Sequence, residues 1–368
     1  MDTINSIGNA KQILREVSRV IVGKDEVMIK VLLGIVAGGH ILMEDIPGVG
    51  KTTMALAFSK ALGLEYNRVQ FTPDVLPSDV TGYSIYDKNT GTMRYQRGAV
   101  LCNLFLADEL NRATSRTQSA LLQAMEEGAV TVDNNTYPVP QPFIVIATQN
   151  PTGAKGTQML PDSQMDRFML RLSIGYPSPE DEAEMIRRKQ KSISLDSVQQ
   201  VVSKSELMQI RQEVSAVFVK DEVVDYIVQL CGATRNDPRI LQGASPRASL
   251  ALTSLAKATA WIQGRDYVLP RDVRFIFRDC IEHRLLWSDA SDPRTHADIM
   301  RSIAGSIKAP NICPCLQYIL SFTFWQSPER TYSGSDIWAG SELFSSTPLQ
   351  SCPSSSCCCH CPGCCARK

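Results

Sequence analysis

Apolar residues in the first 175 positions fall into short continuous runs that predict buried β-strands. The clearest runs are His40–Glu44, Asn103–Glu109 and Phe143–Ala147, and polar or glycine-rich residues follow each of them. Runs of this length without polar alternation are typical of parallel strands that are covered on both faces. Helical spacing follows the first run, across Ala55–Leu62. The pattern predicts an α/β domain over residues 1–175.

Helical spacing replaces the strand pattern in the second part of the chain. The segment Pro179–Arg188 has acidic residues in its first turn and basic residues later, which is the order that the helix dipole favours. Apolar residues recur at helical intervals in Val223–Leu230 and Ala248–Ile262, and a last helix is predicted within Val268–Leu285. We therefore expect an all-α domain over residues 176–310.

The composition of the whole chain is that of an ordinary globular protein. It has 368 residues, 38 Lys and Arg against 38 Asp and Glu, and 43% hydrophobic residues. At roughly 150 residues per domain, this length predicts about two domains. The zero net charge argues against a protein that mainly coats nucleic acid or an acidic membrane surface. No segment has the roughly 18 apolar residues of a membrane span, and residues 1–30 lack a signal-peptide core, so we expect a cytoplasmic protein.

The last 58 residues have a different composition. They contain nine of the twelve cysteines and eleven serines, but only six charged residues. Three interpretations of this irregular tail, residues 311–368, remain open: a disordered extension, a misassigned end of the reading frame, or a zinc site. The zinc hypothesis rests on the spacing of Cys361 and Cys364. Further candidate ligands are Cys313, Cys315, Cys357, Cys358, Cys359, His360 and Cys365.

A glycine-rich segment between the first strand and its helix predicts a phosphate-binding loop. The candidate nucleotide-binding residues are Gly48, Val49, Gly50, Lys51, Thr52 and Thr53. Backbone N–H groups of such a loop bind phosphates, Lys51 would reach the β- and γ-phosphates, and the Thr52 hydroxyl would bind Mg²⁺. Asp45 stands where the motif has its first glycine, and it adds negative charge near the phosphates unless its side chain points away. The alternative interpretation is a glycine-rich turn with an incidental lysine.

Polar side chains end the second and third strand runs. Asp108 and Glu109 follow an apolar strand, 57 residues after Lys51. Asp108 would help to hold Mg²⁺ and Glu109 would polarise the attacking water, while the alternative is a solvated strand-to-helix turn. Asn150 comes after the third run, where polar residues of a parallel sheet line the ligand crevice. It would orient the same water, and the alternative is an Asx turn before Pro151.

Six segments resemble an AAA+ ATPase of the MoxR family, which belongs to the helix-2-insert clade. They are, in the family's order, Gln70–Gly82, Leu106–Val132, Ile146–Pro151, Leu160–Leu170, Gly243–Leu252 and Gly264–Arg274. The resemblance covers roughly residues 5–310. It implies a P-loop NTPase core with a parallel sheet flanked by helices, followed by an all-α lid. It also implies that Lys51 and Thr52 are Walker A residues, Asp108 and Glu109 Walker B residues, and Asn150 sensor 1.

The resemblance further implies residues that act between the subunits of a ring, usually a hexamer. Arg167 is the candidate arginine finger, which would enter a neighbour's ATP site, and Arg171 is the second choice. Arg247 matches sensor 2, which reaches the phosphates from the lid of its own subunit. A guanidinium suits these roles because it stabilises phosphoryl oxygens through two hydrogen bonds at once. The alternatives are a salt bridge from Arg167 to Asp162 or Asp166, and a structural role for Arg247 at a helix start.

Two further segments resemble parts of the family's pattern. Val22–Lys24 resembles the segment that contacts adenine, although Gly23 could equally form a turn. Ala129–Pro140 alternates around Asp133–Asn135 and reads as a β-hairpin. The resemblance implies that this is the pre-sensor-1 hairpin, which touches partners or only packs. Arg112 belongs to the family's pattern without an assigned role.

The resemblance implies Mg²⁺-dependent ATP hydrolysis by a ring-forming ATPase, coupled to chaperone-like remodelling, assembly or activation of partner proteins. The expected cofactors are ATP and Mg²⁺. The expected partners are further copies of the chain, a protein with a von Willebrand factor A domain, and a client enzyme or complex. One alternative is a motor acting on nucleic acid, which the zero net charge opposes. The other is a nucleotide-gated scaffold with little turnover, which Glu109, Asn150 and Arg167 oppose.

Overall fold

The structure, a computed structural model, describes residues 3–45, 48–150, 160–190, 194–288 and 293–311. The tail lies outside the described residues from position 312 onward, together with all of its candidate zinc ligands. The strands are β1 (Ile41–Glu44), β2 (Tyr66–Gln70), β3 (Gly82–Asp87), β4 (Thr92–Arg97), β5 (Leu104–Asp108), β6 (Ala129–Val132), β7 (Asn135–Pro138), β8 (Ile144–Gln149), β9 (Leu170–Leu172), β10 (Ile240–Gln242) and β11 (Leu286–Trp287). The helices are α1 (Thr3–Ser18), α2 (Asp25–Val36), α3 (Lys51–Ala61), α4 (Pro77–Thr81), α5 (Ser115–Glu127), α6 (Asp162–Met165), α7 (Pro179–Gln190), α8 (Lys204–Ala216), α9 (Asp221–Asn236), α10 (Pro246–Ile262), α11 (Pro270–Ile281) and α12 (Pro293–Ser306).

A five-stranded sheet forms the centre of the first part of the chain. Its strands lie in the order β2-β5-β8-β1-β9, and every neighbouring pair is parallel. The carboxyl ends of all five strands therefore lie at one edge of the sheet. β5 and β8 are buried along their whole length, as their continuous apolar sequences predict. The predicted α/β architecture, with a parallel sheet flanked by helices, is confirmed.

Apolar side chains of the sheet and of α5 form the core beside the candidate site. Phe105, Leu121 and Phe168 are fully buried within one cluster. Burial of a side chain of this size stabilises the fold by about 1.5–3 kcal/mol. Because Phe168 belongs to this cluster, the chain just before β9 is anchored to the core.

Two β-hairpins extend from the first part of the chain. β6 and β7 form the predicted hairpin, with Val132 opposite Asn135. Asp133 and Asn134 both have positive φ angles in its turn, a conformation that Asp and Asn tolerate better than most residues. The second hairpin, β3 with β4, was not predicted. Most of its residues are exposed on both faces, so its sequence lacks the alternation of apolar and polar residues that indicates a half-buried strand.

Helices dominate the chain after residue 176, as the spacing of apolar residues predicts. The prediction of an all-α domain missed one antiparallel pair, β10 with β11, in which Ile240 lies opposite Trp287. These strands have three and two residues, too few to show a periodic pattern. A buried ion pair fixes the start of α11, since Arg265 donates to both carboxylate oxygens of Asp272 at 2.6 and 2.7 Å.

The described residues belong to one compact unit, so the domain boundaries between residues 175 and 176 and at residue 310 stay predictions. Within the described ranges, no helix has both the length and the apolar character that a membrane crossing requires.

Candidate nucleotide-binding site

The glycine-rich loop lies between the carboxyl end of β1 and the start of α3. Gly48 and Gly50 have φ angles of +88° and +97°, and a Cβ atom at either position would meet no other atom within 4 Å. The two glycines are therefore required by backbone conformation rather than by packing. Gly50 caps α3, whose first turn contains Lys51 and the half-buried Thr52 and Thr53. The first N–H groups of an α-helix have no carbonyl partner within the helix itself, so this helix start suits an anion.

Lys51 is the buried cation of the loop, with an exposed fraction of 7%. Its Nζ donates to the backbone carbonyl of Asp45 at 2.6 Å. Burial lowers the pKa of the Lys51 ammonium group, while the nearby carboxylates of Asp45, Asp108 and Glu109 oppose this effect. The lysine thus lies among acidic groups at the carboxyl edge of the sheet.

The Asp45 side chain points away from the glycine-rich loop. Its carboxylate accepts hydrogen bonds from Ser173 Oγ at 3.0 Å, from Gly175 N at 3.1 Å and from Ile174 N. Three donors therefore satisfy a carboxylate that is 6% exposed. The sequence left open whether Asp45 would repel phosphate, and this geometry directs its charge onto the chain after β9.

Asp108 lies at the end of β5 between two donors from neighbouring strands. Thr148 Oγ on β8 donates to Oδ1 at 2.6 Å, and the Arg68 guanidinium on β2 donates to Oδ2 at 2.7 Å. Asp108 itself is 8% exposed. The adjacent strands therefore fix the orientation of this carboxylate from both sides.

Glu109 has a left-handed backbone conformation, with φ 55°, and its carboxylate contacts three side chains. Asn150 Nδ2 donates to Oε1 at 3.1 Å, while Arg112 and Gln70 donate to Oε2 at 2.7 and 3.3 Å. The hydrogen bond from Arg112 is the main cause that lowers the pKa of the Glu109 carboxyl. Those from Asn150 and Gln70 act in the same direction, against burial. Glu109 is held as an anion beside Asn150.

These residues fit a nucleoside triphosphate with Mg²⁺. A loop that leaves open space at two glycines lies beside a buried lysine, and hydroxyl and carboxylate oxygens of Thr52 and Asp108 are at hand. Oxygen ligands of this kind are those that Mg²⁺ prefers, usually together with phosphate oxygens and water. The left-handed conformation of Glu109 is of the sort that clusters at functional sites.

Arg167 and Arg247 lie together, away from this group. Both bind the same carboxylate, Arg167 to Glu126 Oε2 at 2.7 Å and Arg247 to Glu126 Oε1 at 2.5 Å. The preceding residue, Met125, accepts a hydrogen bond through its carbonyl from His40, just before β1. Lys51 lies beyond the other end of β1, so the arginine pair belongs to the amino edge of the sheet, opposite to the edge at which Lys51 lies.

Arg171 and Lys24 have structural contacts of their own. Arg171 binds Glu44 at 3.2 Å and Glu282 at 2.8 Å, bridging the end of β1 and the helical region. Lys24 Nζ donates to the carbonyl of Tyr176 at 2.8 Å. The predicted adenine contact at Val22–Lys24 therefore lies beside the first residue of the predicted lid. Its role, like that of Arg171 as a second finger candidate, stays a prediction.

Sequence reasoning missed several contacts of Asp108 and Glu109. Arg68, Gln70 and Thr148 received no role, and Arg112 was noted without one. The parallel register gives the missing signal, because Gln70 pairs with Asp108 across β2 and β5, which brings polar residues of two strand ends together. The available clue was that Gln70 begins the segment Gln70–Gly82, which resembles the family's pattern.

Residues 40–170 match the ATPase family associated with various cellular activities (AAA), and residues 232–303 match the AAA lid domain. The fold and these matches define an AAA ATPase core with its lid. The chain is 42% identical over 299 residues to the uncharacterised protein YeaC of Bacillus subtilis, covering 81% of this chain and 93% of that one. It is 40% identical over 280 residues to the chaperone MoxR1 of Mycobacterium tuberculosis, covering 74% of each.

A solved structure agrees with these relatives. The crystal structure of a candidate ATPase from Cytophaga hutchinsonii superimposes with a TM-score of 0.77 and 37% identity, covering 84% of this chain and 97% of that one. The chain belongs to the MoxR family of AAA+ ATPases.

Proposed function

We propose that the chain is a Mg²⁺-dependent ATPase whose hydrolysis site lies at the carboxyl edge of the parallel sheet. The observation that carries this proposal is the convergence of Lys51, Asp108, Glu109 and Asn150 behind the glycine loop, with hydrogen bonds that orient both carboxylates. Parallel α/β sheets bind ligands at this edge. The MoxR family assignment gives the substrate class, a nucleotide.

Each residue has a distinct role in the proposed site. Backbone N–H groups from Gly48 to Thr53 bind the phosphates, and Lys51 neutralises charge on the β- and γ-phosphates. Thr52 and Asp108 would hold Mg²⁺, which would draw charge from the phosphate oxygens. Glu109 accepts a hydrogen bond from the attacking water, and Asn150 fixes the direction of that carboxylate. The low pKa of Glu109 keeps it ionised for this role.

We further propose that Arg167 completes the site of a neighbouring subunit in a ring. The contact of Arg167 with Glu126 at the opposite edge of the sheet from Lys51 supports action in trans. The shared contact supports assigning Arg247 to the same neighbouring site, whereas the sequence-based prediction was action in cis. A guanidinium in that position stabilises charge on the transferring phosphoryl group.

The proposed work of the ATPase is chaperone-like remodelling of partner proteins in the cytoplasm. The relative named chaperone MoxR1 supports this proposal. A protein with a von Willebrand factor A domain, together with a client enzyme or complex, is the proposed partner class. Stimulation of ATP hydrolysis by DNA rather than by such proteins would favour the nucleic-acid motor instead.

The site assignment is tested by the Mg²⁺-ATPase rate of purified protein. Lys51→Ala should abolish nucleotide binding, and Glu109→Gln should retain nucleotide binding but lose on the order of 10²-fold or more in turnover. Lys60→Ala is a matched control on the same helix, since Lys60 pairs with the exposed Asp196 outside the site. Activity that survives in both site variants would refute the assignment.

A further inference from the structure

The candidate finger lies in a turn that residues from the helical region hold on both sides. We call Asp166–Phe168 the finger turn. On its first side, Arg284 Nη1 donates to Asp166 Oδ1 at 2.7 Å, and Ser245 Oγ lies 3.3 Å from both Asp166 oxygens. Ser245 also caps α10, accepting a hydrogen bond from Ala248 N. The start of α10 and the carboxylate before the finger are therefore tied together.

On its other side, the finger turn is held through a backbone carbonyl. The carbonyl of Phe168 accepts hydrogen bonds from Arg284 Nη2 at 2.8 Å and from His283 Nε2 at 2.9 Å. Arg284 thus binds the residues before and after Arg167, donating to the Asp166 carboxylate with Nη1 and to the Phe168 carbonyl with Nη2. A guanidinium is planar and its donors are fixed relative to each other, so these two contacts set the orientation of the turn as well as its position.

The contact is buried at Arg284 and partly exposed at Asp166, whose side chain is 24% exposed. The Arg284 side chain is 2% exposed, and no ordinary solvent contact could replace its partners. Breaking a buried ion pair on one side leaves an uncompensated charge, which proteins tolerate poorly. By contrast, Arg167 and Glu126 are 30% and 42% exposed, and Arg167 also donates to the Leu122 carbonyl at 2.9 Å, so the end of the finger is closer to solvent than Arg284.

The segment Glu282–Arg284, which contains Arg284, is also connected to the end of β1, next to the glycine-rich loop. Glu282 accepts a hydrogen bond from Arg171 at 2.8 Å, and Arg171 also binds Glu44, the last residue of β1. The segment Glu282–Arg284 therefore contacts the base of the candidate finger and, through Arg171, the strand that leads into the chain's own nucleotide loop.

We propose that Arg284 is a positioning residue through which the helical region of a subunit holds its own arginine finger in the orientation that the neighbouring subunit's ATP site requires. The proposal rests on the proposed function, in which Arg167 acts in trans. It adds that the finger is set by contacts that lie outside both ATP sites. Loss of Arg284 should therefore impair hydrolysis in the neighbour and leave nucleotide binding in the altered subunit intact.

The test combines single variants with mixed rings. Arg284→Met should lower the kcat of rings on the order of tenfold, while its affinity for a fluorescent ATP analogue stays within about twofold of the unaltered protein. Asp166→Asn weakens the same contact without removing the buried guanidinium, and should lower kcat in the same manner. Arg301→Met is the matched control, because Arg301 forms an exposed ion pair with Asp298 on α12.

Complementation then separates positioning from general damage. Lys51→Ala subunits lack a working site but keep a correctly positioned finger. Arg284→Met subunits keep a working site but lack a correctly positioned finger. In a random 1:1 mixture, about a quarter of the head-to-tail interfaces combine an intact site with an intact finger. ATP hydrolysis should rise from about a twentieth of the unaltered rate, the mean of the two unmixed variants, to about a quarter. Native mass spectrometry would verify that the subunits mix.

A parallel mixture distinguishes failure of the two proposals. Arg167→Ala with Lys51→Ala tests only whether the finger acts in trans, and no recovery there would overturn the proposed function. Recovery in that mixture, but none with Arg284→Met, would overturn the positioning role. So would Arg284→Met rings with unaltered kcat, or a loss of nucleotide affinity in Arg284→Met and Asp166→Asn that matches their loss of kcat.

Discussion

His40, just before β1, makes the unfolding free energy depend on pH in a way that the structure quantifies. Val145 N donates to its Nδ1 at 3.0 Å, so this nitrogen carries no proton. Its Nε2 lies 3.2 Å from the Met125 carbonyl and donates to it. The ring also meets Phe143 edge-on, with centroids 5.5 Å apart. Protonation of Nδ1 would place two N–H groups against each other and break the bond to Val145.

Burial lowers the pKa of His40 from 6.5 to about 4, and the charge of Arg211 acts in the same direction, while the hydrogen bond to Met125 opposes them. The unfolded chain therefore takes up this proton below pH 6.5, and the folded protein only below about 4. Stability is lost as pH falls between these values. At about 1.4 kcal/mol per pKa unit, the full effect is at most about 3.5 kcal/mol, and about 2 kcal/mol of it appears between pH 7.5 and 5.

The assay compares urea denaturation of the unaltered protein and of His40→Gln at pH 7.5 and at pH 5. Glutamine keeps a donor for the Met125 carbonyl but does not titrate. It places no acceptor where Nδ1 accepts from Val145 N, so the variant should be less stable at pH 7.5 by about 1–3 kcal/mol. Its further loss on acidification should be smaller than that of the unaltered protein by about 2 kcal/mol. Carboxyl groups contribute equally to both proteins. Equal losses in the two, or a His40 pKa near 6.5 measured by NMR, would refute the reasoning.

Three further predictions concern the site. Arg112→Met should raise the pKa of Glu109, so the acidic limb of the pH–rate profile moves to higher pH; an unmoved limb would contradict the role of this pair. Arg68→Met removes a cation that competes with Mg²⁺ for Asp108. It should therefore lower the Mg²⁺ concentration that half-saturates binding of a fluorescent ATP analogue. A higher Mg²⁺ requirement would mean that Arg68 helps to hold the nucleotide. Asp45→Ala leaves three donors without their acceptor and should lower the unfolding free energy by about 2–4 kcal/mol, measured by urea denaturation; a change below about 0.5 kcal/mol would count against those bonds.

The features predictable from the sequence are those that a short continuous segment determines. The apolar run of β1, the loop glycines and the helical spacing after Lys51 lie next to each other, so local rules suffice. Contacts between distant segments were not predictable in this way. Arg68 reaches Asp108 only because β2 pairs with β5, and Arg247 meets Glu126 only because the fold brings the start of α10 within reach of the end of α5. The β3–β4 hairpin lacked a signal because its faces are exposed rather than half-buried.

Asp45 also has a structural consequence. A glycine at this position would have no side chain with which to contact the segment after β9. The Asp45 carboxylate instead binds Ser173, Ile174 and Gly175, so it joins the end of β1 to that segment. Gly175, the last residue of this contact, has a φ angle of +65° and no atom within 4 Å of a Cβ position. Its glycine is therefore required by backbone conformation rather than by packing. The three hydrogen bonds therefore connect the end of β1 to the residues that stand immediately before the predicted lid.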